Sequence, residues 1–410
     1  AGRRYCVPVE EITHFGLVVL VPALVVLVAV QSSHLSAWLR VPAPAIFLVG
    51  AAVASNVIPR FGSIPLVTVE QIVTVALVVI LFDGGMHIGW RRFRAAAGAV
   101  VWLGVMGTVV TTAGLAAAAH FLFGLGLRES LLLGTALAPT DPAVVFSVLG
   151  GREVGGRAGV LLEGESGTND PVGIALMVAV LGADQASRGA AVPHAVNEFL
   201  LQMVVGAAVG VALGFALRWF LRVRLPNEGL YALRAIACAV AVYGIASVAR
   251  GSGFLAVLVA GILIGDEQID YRGEVRRFSA SVASLAEIVA FVLLGLTVDL
   301  TTLGDRFAWL IGLVLAVLLA FVIRPLLCGL VLWPVRLDRG ERLFVLWAGL
   351  KGAVPVLLGI FILEGGAPDA TRLYAIIFVV VAFSVIVQGG LVPTVASRLG
   401  VPLTEISPDY

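Results

Sequence analysis

Thirteen apolar stretches follow one another along the chain, at approximately 12–30, 44–58, 71–89, 95–123, 129–149, 158–181, 197–217, 230–249, 254–265, 279–299, 307–332, 343–363 and 373–397. Most approach the roughly 20 residues that a helix needs to cross a bilayer, and the short ones at 44–58 and 254–265 are tolerable where a helix is broken or packed among others. A chain that is 60% hydrophobic and only 13% charged is too apolar for a soluble fold. The stretches are therefore read as about 13 transmembrane helices of an all-α polytopic membrane protein, without a soluble domain.

Arginine placement orients these helices. With the N-terminus outside, the cytoplasmic loops hold sixteen arginines, including Arg91, Arg92, Arg94, Arg218, Arg222 and Arg224. The opposite side keeps Arg60, Arg128, Arg188, Arg250, Arg306 and Arg372, plus Arg3 and Arg4 at the terminus. An odd number of helices with the C-terminus in the cytoplasm follows. Ala1 is not methionine, so a processed or trimmed N-terminus is expected. Arg3 and Arg4 before an apolar stretch suggest a signal peptide, but that stretch is long enough to span and shows no small-residue cleavage site, so it is read as the first helix.

Of 27 basic side chains 26 are arginine, and the lone Lys351 sits inside an apolar run. A lysine at the centre of a membrane helix is disfavoured by roughly 2.5–3.5 kcal/mol, so it calls for a partner and marks a transport pathway. The densest acidic run in apolar sequence is Glu163-Gly164-Glu165-Ser166-Gly167-Thr168-Asn169-Asp170-Pro171. A weak internal symmetry sets 95–181 against 307–397, three spans each. In both middle spans a helix-disrupting stretch falls at the same place: Leu137-Ala138-Pro139-Thr140-Asp141-Pro142 and Leu350-Lys351-Gly352-Ala353-Val354-Pro355. The blocks would be inverted in the membrane, and interrupted helices at matching positions of inverted halves point to a transporter's midplane site.

Pro139 and Pro142 lack amide hydrogens and should unwind their helix around Thr140 and Asp141, freeing carbonyls that protein, water or an ion must satisfy. Asp141 then serves as an ion ligand, an acceptor for a helix start, or both. Ser166 and Asp170 are four residues apart and share one helix face, while Glu165 and Asn169 share the adjoining one. Asp170, Ser166, Thr140 and water supply the oxygen ligands that a hard monovalent cation prefers. Glu165 is left to neutralise Lys351. A partly desolvated carboxylate that takes a proton or a cation in turn is the minimum apparatus for exchange.

Glu287 and Arg324 lie in neighbouring spans and are read as a second buried ion pair, structural first. Asp83, in Leu81-Phe82-Asp83-Gly84-Gly85, either guards cytoplasmic access or snorkels to water. Glu163, one turn outside the midplane, reads as a vestibule residue. Gly206, Gly210 and Gly214 make a small-xxx-small ladder that suits ordinary helix packing or a dimer contact. Cys6, Cys238 and Cys328 show neither disulfide nor zinc spacing. A net charge of +1 with dispersed basic residues implies no nucleic acid. No cofactor is read. Gly164-Glu165-Ser166-Gly167 fits the Gly-x-Ser-Gly of intramembrane serine proteases, but no histidine lies well inside another span to act as base. A passive cation channel is the other alternative and gives protonation of Asp170 no role.

Ala138-Pro139-Thr140-Asp141-Pro142, the 163–171 run and Gly349-Leu350-Lys351-Gly352-Ala353-Val354 together resemble the monovalent cation/proton antiporters of the first cation-proton antiporter family, the sodium/proton exchanger relatives. The resemblance covers about residues 15–398. Leu-Phe-Asp-Gly-Gly at 81–85, Ser-Gly-Thr-Asn-Asp and the Ala-Val-Pro after Lys351 look like the bacterial potassium/proton, or cell-volume-regulation, branch.

This resemblance implies a homodimer in the lipid membrane, with crossed broken helices and elevator-like alternating access. Residues 12–89 and 197–299 would form the dimerisation side, 95–181 and 307–397 the core, and 1–11 and 398–410 the tails. The residue matching Asp170 carries a proton or K+ or Na+, with Asn169 beside it and Thr140, Asp141 and Ser166 supporting the site. The resemblance also implies the pairs Glu165–Lys351 and Glu287–Arg324. Arginine is usual in the family where this chain has Lys351, and lysine lacks the bidentate fork, so the electroneutral exchange expected of the Asn-Asp type is less firmly implied. The potassium branch commonly continues into a cytoplasmic regulatory region beyond the position of Arg398.

Overall fold

The computed structural model describes residues 41–149, 152–183, 191–267 and 271–405, with the isolated helical positions Leu20, Ala23, Leu27 and Gln31. The rest of the first predicted span, the N-terminal tail and the last five residues of the C-terminal tail lie outside the described residues. Almost everything described is helix, as expected where backbone polar groups must be satisfied without water. The helices are α1 (Ala43–Val57), α2 (Leu66–Trp102), α3 (Thr108–Phe123), α4 (Leu127–Leu137), α5 (Pro142–Val148), α6 (Gly156–Gly182), α7 (Ala191–Leu221), α8 (Glu228–Val248), α9 (Gly253–Ile264), α10 (Arg272–Leu296), α11 (Ala308–Leu318), α12 (Arg339–Trp347), α13 (Ala353–Glu364), α14 (Ala370–Phe383) and α15 (Gly390–Arg398). Leu103–Gly107, Leu319–Cys328 and Ser384–Gly389 are π-helical turns that prolong α2, α11 and α14.

Among the described residues one two-stranded sheet joins the helices. β1 (Arg152–Val154) pairs antiparallel with β2 (Leu403–Glu405), with Arg152 opposite Glu405, so the segment after the last helix is stitched to the link between α5 and α6.

Among the described residues six helices are long and apolar enough to cross a membrane, or seven if the bent pair α4–α5 is one span. Ala43–Val57, Gly253–Ile264 and Ala353–Glu364 are shorter apolar helices. The stretch Leu66–Phe123 runs for 58 residues. That is roughly 87 Å at 1.5 Å per residue, far more than one crossing. It turns at Gly89, whose φ of 66° and ψ of 162° interrupt the helix where the sequence separates 71–89 from 95–123. Asp266 holds the turn by accepting the Arg91 N–H at 2.6 Å, and a Cβ on Gly89 would meet that carboxylate at 2.8 Å.

The short stretch at 254–265 is α9, nearly all of it buried, with α2 and α7 packed against it. The glycine ladder explains the close approach of α7. A Cβ on Gly206 would fall 2.6 Å from the Ser252 carbonyl, and one on Gly210 would fall 2.7 Å from that of Ala256. The small-xxx-small face is therefore used inside the chain, leaving Val204, Val211, Phe215 and Trp219 exposed elsewhere on α7.

Candidate functional site

Both predicted breaks are present, and they meet. α4 stops at Leu137 and α5 restarts at Pro142 with a bend of 44°. α12 stops at Trp347 and α13 restarts at Ala353. The Asp141 N–H donates to the Leu350 carbonyl at 2.8 Å, tying one break to the other.

The charged residue in each break serves helix ends. Asp141 Oδ1 accepts the Ala143 N–H at 2.9 Å, capping α5, and its carboxylate also lies against Gly352 at the start of α13. A negative charge at two positive helix ends is the favourable sense of the helix dipole. Gly352 makes this approach possible, because a Cβ there would coincide with the Asp141 carboxylate. In the opposite sense, Lys351 Nζ donates to the carbonyls of Ala138 at 2.8 Å and Pro139 at 2.9 Å, just past the negative end of α4. Lys351 is only 1% exposed, so the carbonyls freed by the proline break have found their donor within the protein.

This arrangement corrects both expected ion pairs. Glu165 accepts two hydrogen bonds from Arg324 Nη2, at 2.8 Å to Oε1 and 3.1 Å to Oε2, and does not neutralise Lys351. Arg324 also donates Nε to the Leu346 carbonyl at 3.0 Å and Nη2 to that of Val345 at 3.3 Å, near the end of α12. Its planar fork can serve a carboxylate and a helix end together, which a lysine ammonium cannot. Glu287 does not pair with Arg324; its Oε1 is buried without a hydrogen-bond partner. Lys351 and Arg324 thus sit beside the C-terminal ends of the first halves of the two broken helices.

α6 presents its polar run to the first break. Asn169 Oδ1 accepts the Thr140 N–H at 3.2 Å, and Asn169 Nδ2 donates to Thr140 Oγ1 at 2.7 Å. Ser166 Oγ donates to the Thr140 carbonyl at 2.6 Å. Thr140 is held at its amide, hydroxyl and carbonyl by two side chains of one helix. Asp170, the next residue on α6, is 8% exposed, and its Oδ1 has no hydrogen-bond partner. It lies within electrostatic reach of Asp141 and Lys351. Pro171 cannot donate to Gly167, so α6 carries a further free carbonyl one turn away. The five residues expected to hold the cation are thereby brought together.

Asp83 and Glu163 stand apart from this cluster. Asp83 faces His87 and Arg276, and Glu163 lies 3.5 Å from Arg92 at the turn between the two limbs of α2. Sequence reasoning missed Ser384 and Gln388, on the π turn after α14. The Lys351 N–H donates to Ser384 Oγ at 2.9 Å, Ser384 Oγ donates to Gln388 Oε1 at 3.1 Å, and Gln388 Nε2 donates to the Trp347 carbonyl at 2.6 Å. Two buried polar side chains within the apolar span 373–397 were the available signal.

Broken helices that meet at their breaks within a bundle of apolar helices, beside an unpartnered carboxylate, define an ion-coupled membrane transporter. The chain belongs to the sodium/hydrogen exchanger family, whose transmembrane profile matches residues 20–398. It is 35% identical over 401 residues to the K(+)/H(+) antiporter NhaP of Alkalimonas amylolytica, covering 96% of this chain and 69% of that protein. It is 33% identical over 390 residues to the K(+)/H(+) antiporter NhaP2 of Shewanella oneidensis, covering 94% and 67%. The Na(+)/H(+) antiporter ApNhaP of Aphanothece halophytica is 26% identical over 81% of this chain and 65% of its own length. The fold is shared with the sodium proton antiporter MjNhaP1 of Methanocaldococcus jannaschii, with a TM-score of 0.79 and 21% identity over 94% of this chain and 99% of the other.

Proposed function

We propose that this protein exchanges K+ or Na+ for H+ by elevator-type alternating access, with proton and cation competing for Asp170. The observation that carries the reading is the buried, unpartnered Asp170 Oδ1 beside a Thr140 fixed by Asn169 and Ser166. A carboxylate so withdrawn from water needs a proton or a cation to neutralise it. Thr140 Oγ1, the lone pairs of Ser166 Oγ and water complete an oxygen set for a monovalent ion. Asp141 supports the site by capping α5 beside the start of α13. Potassium is favoured slightly, on the motif variants and the named activities of the more similar relatives.

In this reading the protein has thirteen transmembrane helices, with its N-terminus outside and C-terminus in the cytoplasm. Inverted repeats at 95–181 and 307–397 form the moving core, carrying the two broken helices where they cross. The helices at 12–89 and 197–299 form the scaffold of a homodimer. Asp83 and Glu163 line cytoplasmic access.

The test is dequenching of a pH dye in sealed proteoliposomes, adding Na+ or K+ in turn, with wild type beside Asp170→Asn. A cation-dependent signal lost in a folded mutant supports antiport and names the ion. Exchange at the normal rate in the mutant removes Asp170 from the site, and cation flux that a proton gradient fails to drive replaces the exchanger with a channel.

A further inference from the structure

The second break is held at both ends by one pair of side chains that no motif marks. The Lys351 N–H and the Trp347 carbonyl, on either side of the unwound segment, are bound by Ser384 and Gln388, which are also bound to each other. These two side chains are 3% and 4% exposed, and the π turn Ser384–Gly389 places both against the break. Such π turns recur at functional sites. We propose that Ser384 and Gln388 are positioning residues for cation exchange, holding the Lys351 backbone so that its ammonium is spent on the Ala138 and Pro139 carbonyls and kept off Asp170.

The reason is competition. Lys351 is itself a monovalent cation on a flexible four-carbon stem. Around it stand Arg324 and Cys328 from the π turn after α11, and Glu165 and Asp170 from α6. Glu165 is occupied by Arg324, whereas Asp170 Oδ1 is free. A slackened Lys351 would therefore find Asp170 as its next anionic partner and exclude the transported ion. The clasp fixes the amide of Lys351 directly and the preceding turn through Trp347, which sets where the stem begins. This inference rests on Asp170 being the cation site.

The experiment measures the KM for K+ or Na+ and the maximal rate in proteoliposomes for Ser384→Ala, Ser384→Thr and Gln388→Glu, alongside Asp170→Asn. Loss of one hydrogen bond that biases this competition is expected to raise KM by about fivefold. The maximal rate should stay within about twofold, and Ser384→Thr, which keeps the hydroxyl, should restore KM. Gln388→Glu conserves volume while losing the donor to Trp347, so it gives the same readout if Ser384→Ala does not fold. Unchanged KM in both Ser384→Ala and Gln388→Glu overturns the proposal. So does a parallel fall of rate and melting temperature that Ser384→Thr does not rescue. Exchange that survives in Asp170→Asn instead sinks the site on which the proposal depends.

Discussion

The Lys351 ammonium lies 2.8 Å from the carbonyl oxygen of Ala138, a residue 213 positions earlier in the chain. The contact joins the two breaks and satisfies a carbonyl that the prolines leave without a helical partner. Together with Asp141, which caps α5 and lies at the start of α13, it makes the meeting of the breaks electrostatically complementary: a basic side chain at a helix end, an acidic one at two helix starts.

Replacing Lys351 by methionine should destabilise the protein through the backbone. Ala138 and Pro139 would each keep a buried carbonyl without its donor, at a cost of about 1–3 kcal/mol apiece. A clear fall in melting temperature in detergent is expected. An unchanged value would show that these carbonyls do not depend on the lysine.

Glu165→Gln should also be damaging, because it strands Arg324 as a buried charge; removing one partner of such a pair costs roughly 3–5 kcal/mol. Combining Glu165→Gln with Arg324→Met should recover part of that loss. A double-mutant cycle on melting temperatures would measure the coupling. Strong coupling of Glu165 to Lys351 with none to Arg324 would reverse the pairing seen here.

Gly210→Val tests the glycine ladder. Its Cβ would fall 2.7 Å from the Ala256 carbonyl and 2.8 Å from the Ala256 Cα, where backbone cannot give way cheaply. Overpacking of this kind costs about 1–3 kcal/mol or more. The expected result is a lower melting temperature and a poorer yield of folded protein. A fully stable variant that differed from wild type only in self-association would place the ladder at a subunit contact.

Outside the membrane-spanning helices, Glu267 gives a pH-dependent contribution. Burial alone would raise its pKa, but hydrogen bonds from Arg222 and Arg218 and their charges hold its carboxyl below the usual carboxylate range. The folded state therefore favours the ionised form, and the stabilisation is present above the unfolded pKa and lost as pH falls through the folded one. Glu267→Gln should lower the melting temperature at pH 7, with the difference from wild type closing at acid pH. Both arginines are partly exposed, so added salt should narrow the neutral-pH difference as well. A gap that widened on acidification would contradict this assignment.

Much of the site was legible because its chemistry is rare in lipid. Pro139 and Pro142 announce a break, and Asp170 is costly enough in an apolar helix to require a task. The turn at Gly89 followed from the separation of apolar stretches 71–89 and 95–123. The clasp of Ser384 and Gln388 was not legible, since uncharged polar residues in a membrane helix are cheap enough to pass as packing.

The sequence by itself determined that this chain crosses the membrane repeatedly, that two helices are interrupted near charges, and that those charges demand neutralisation. Only the tertiary structure decided by what. Glu165 met Arg324 across 159 positions of chain, and Lys351 met two backbone carbonyls. Partner choice depends on how helices remote in sequence are rotated and crossed. Among the competing partners are carbonyl groups and helix ends, which every residue type carries and no motif distinguishes.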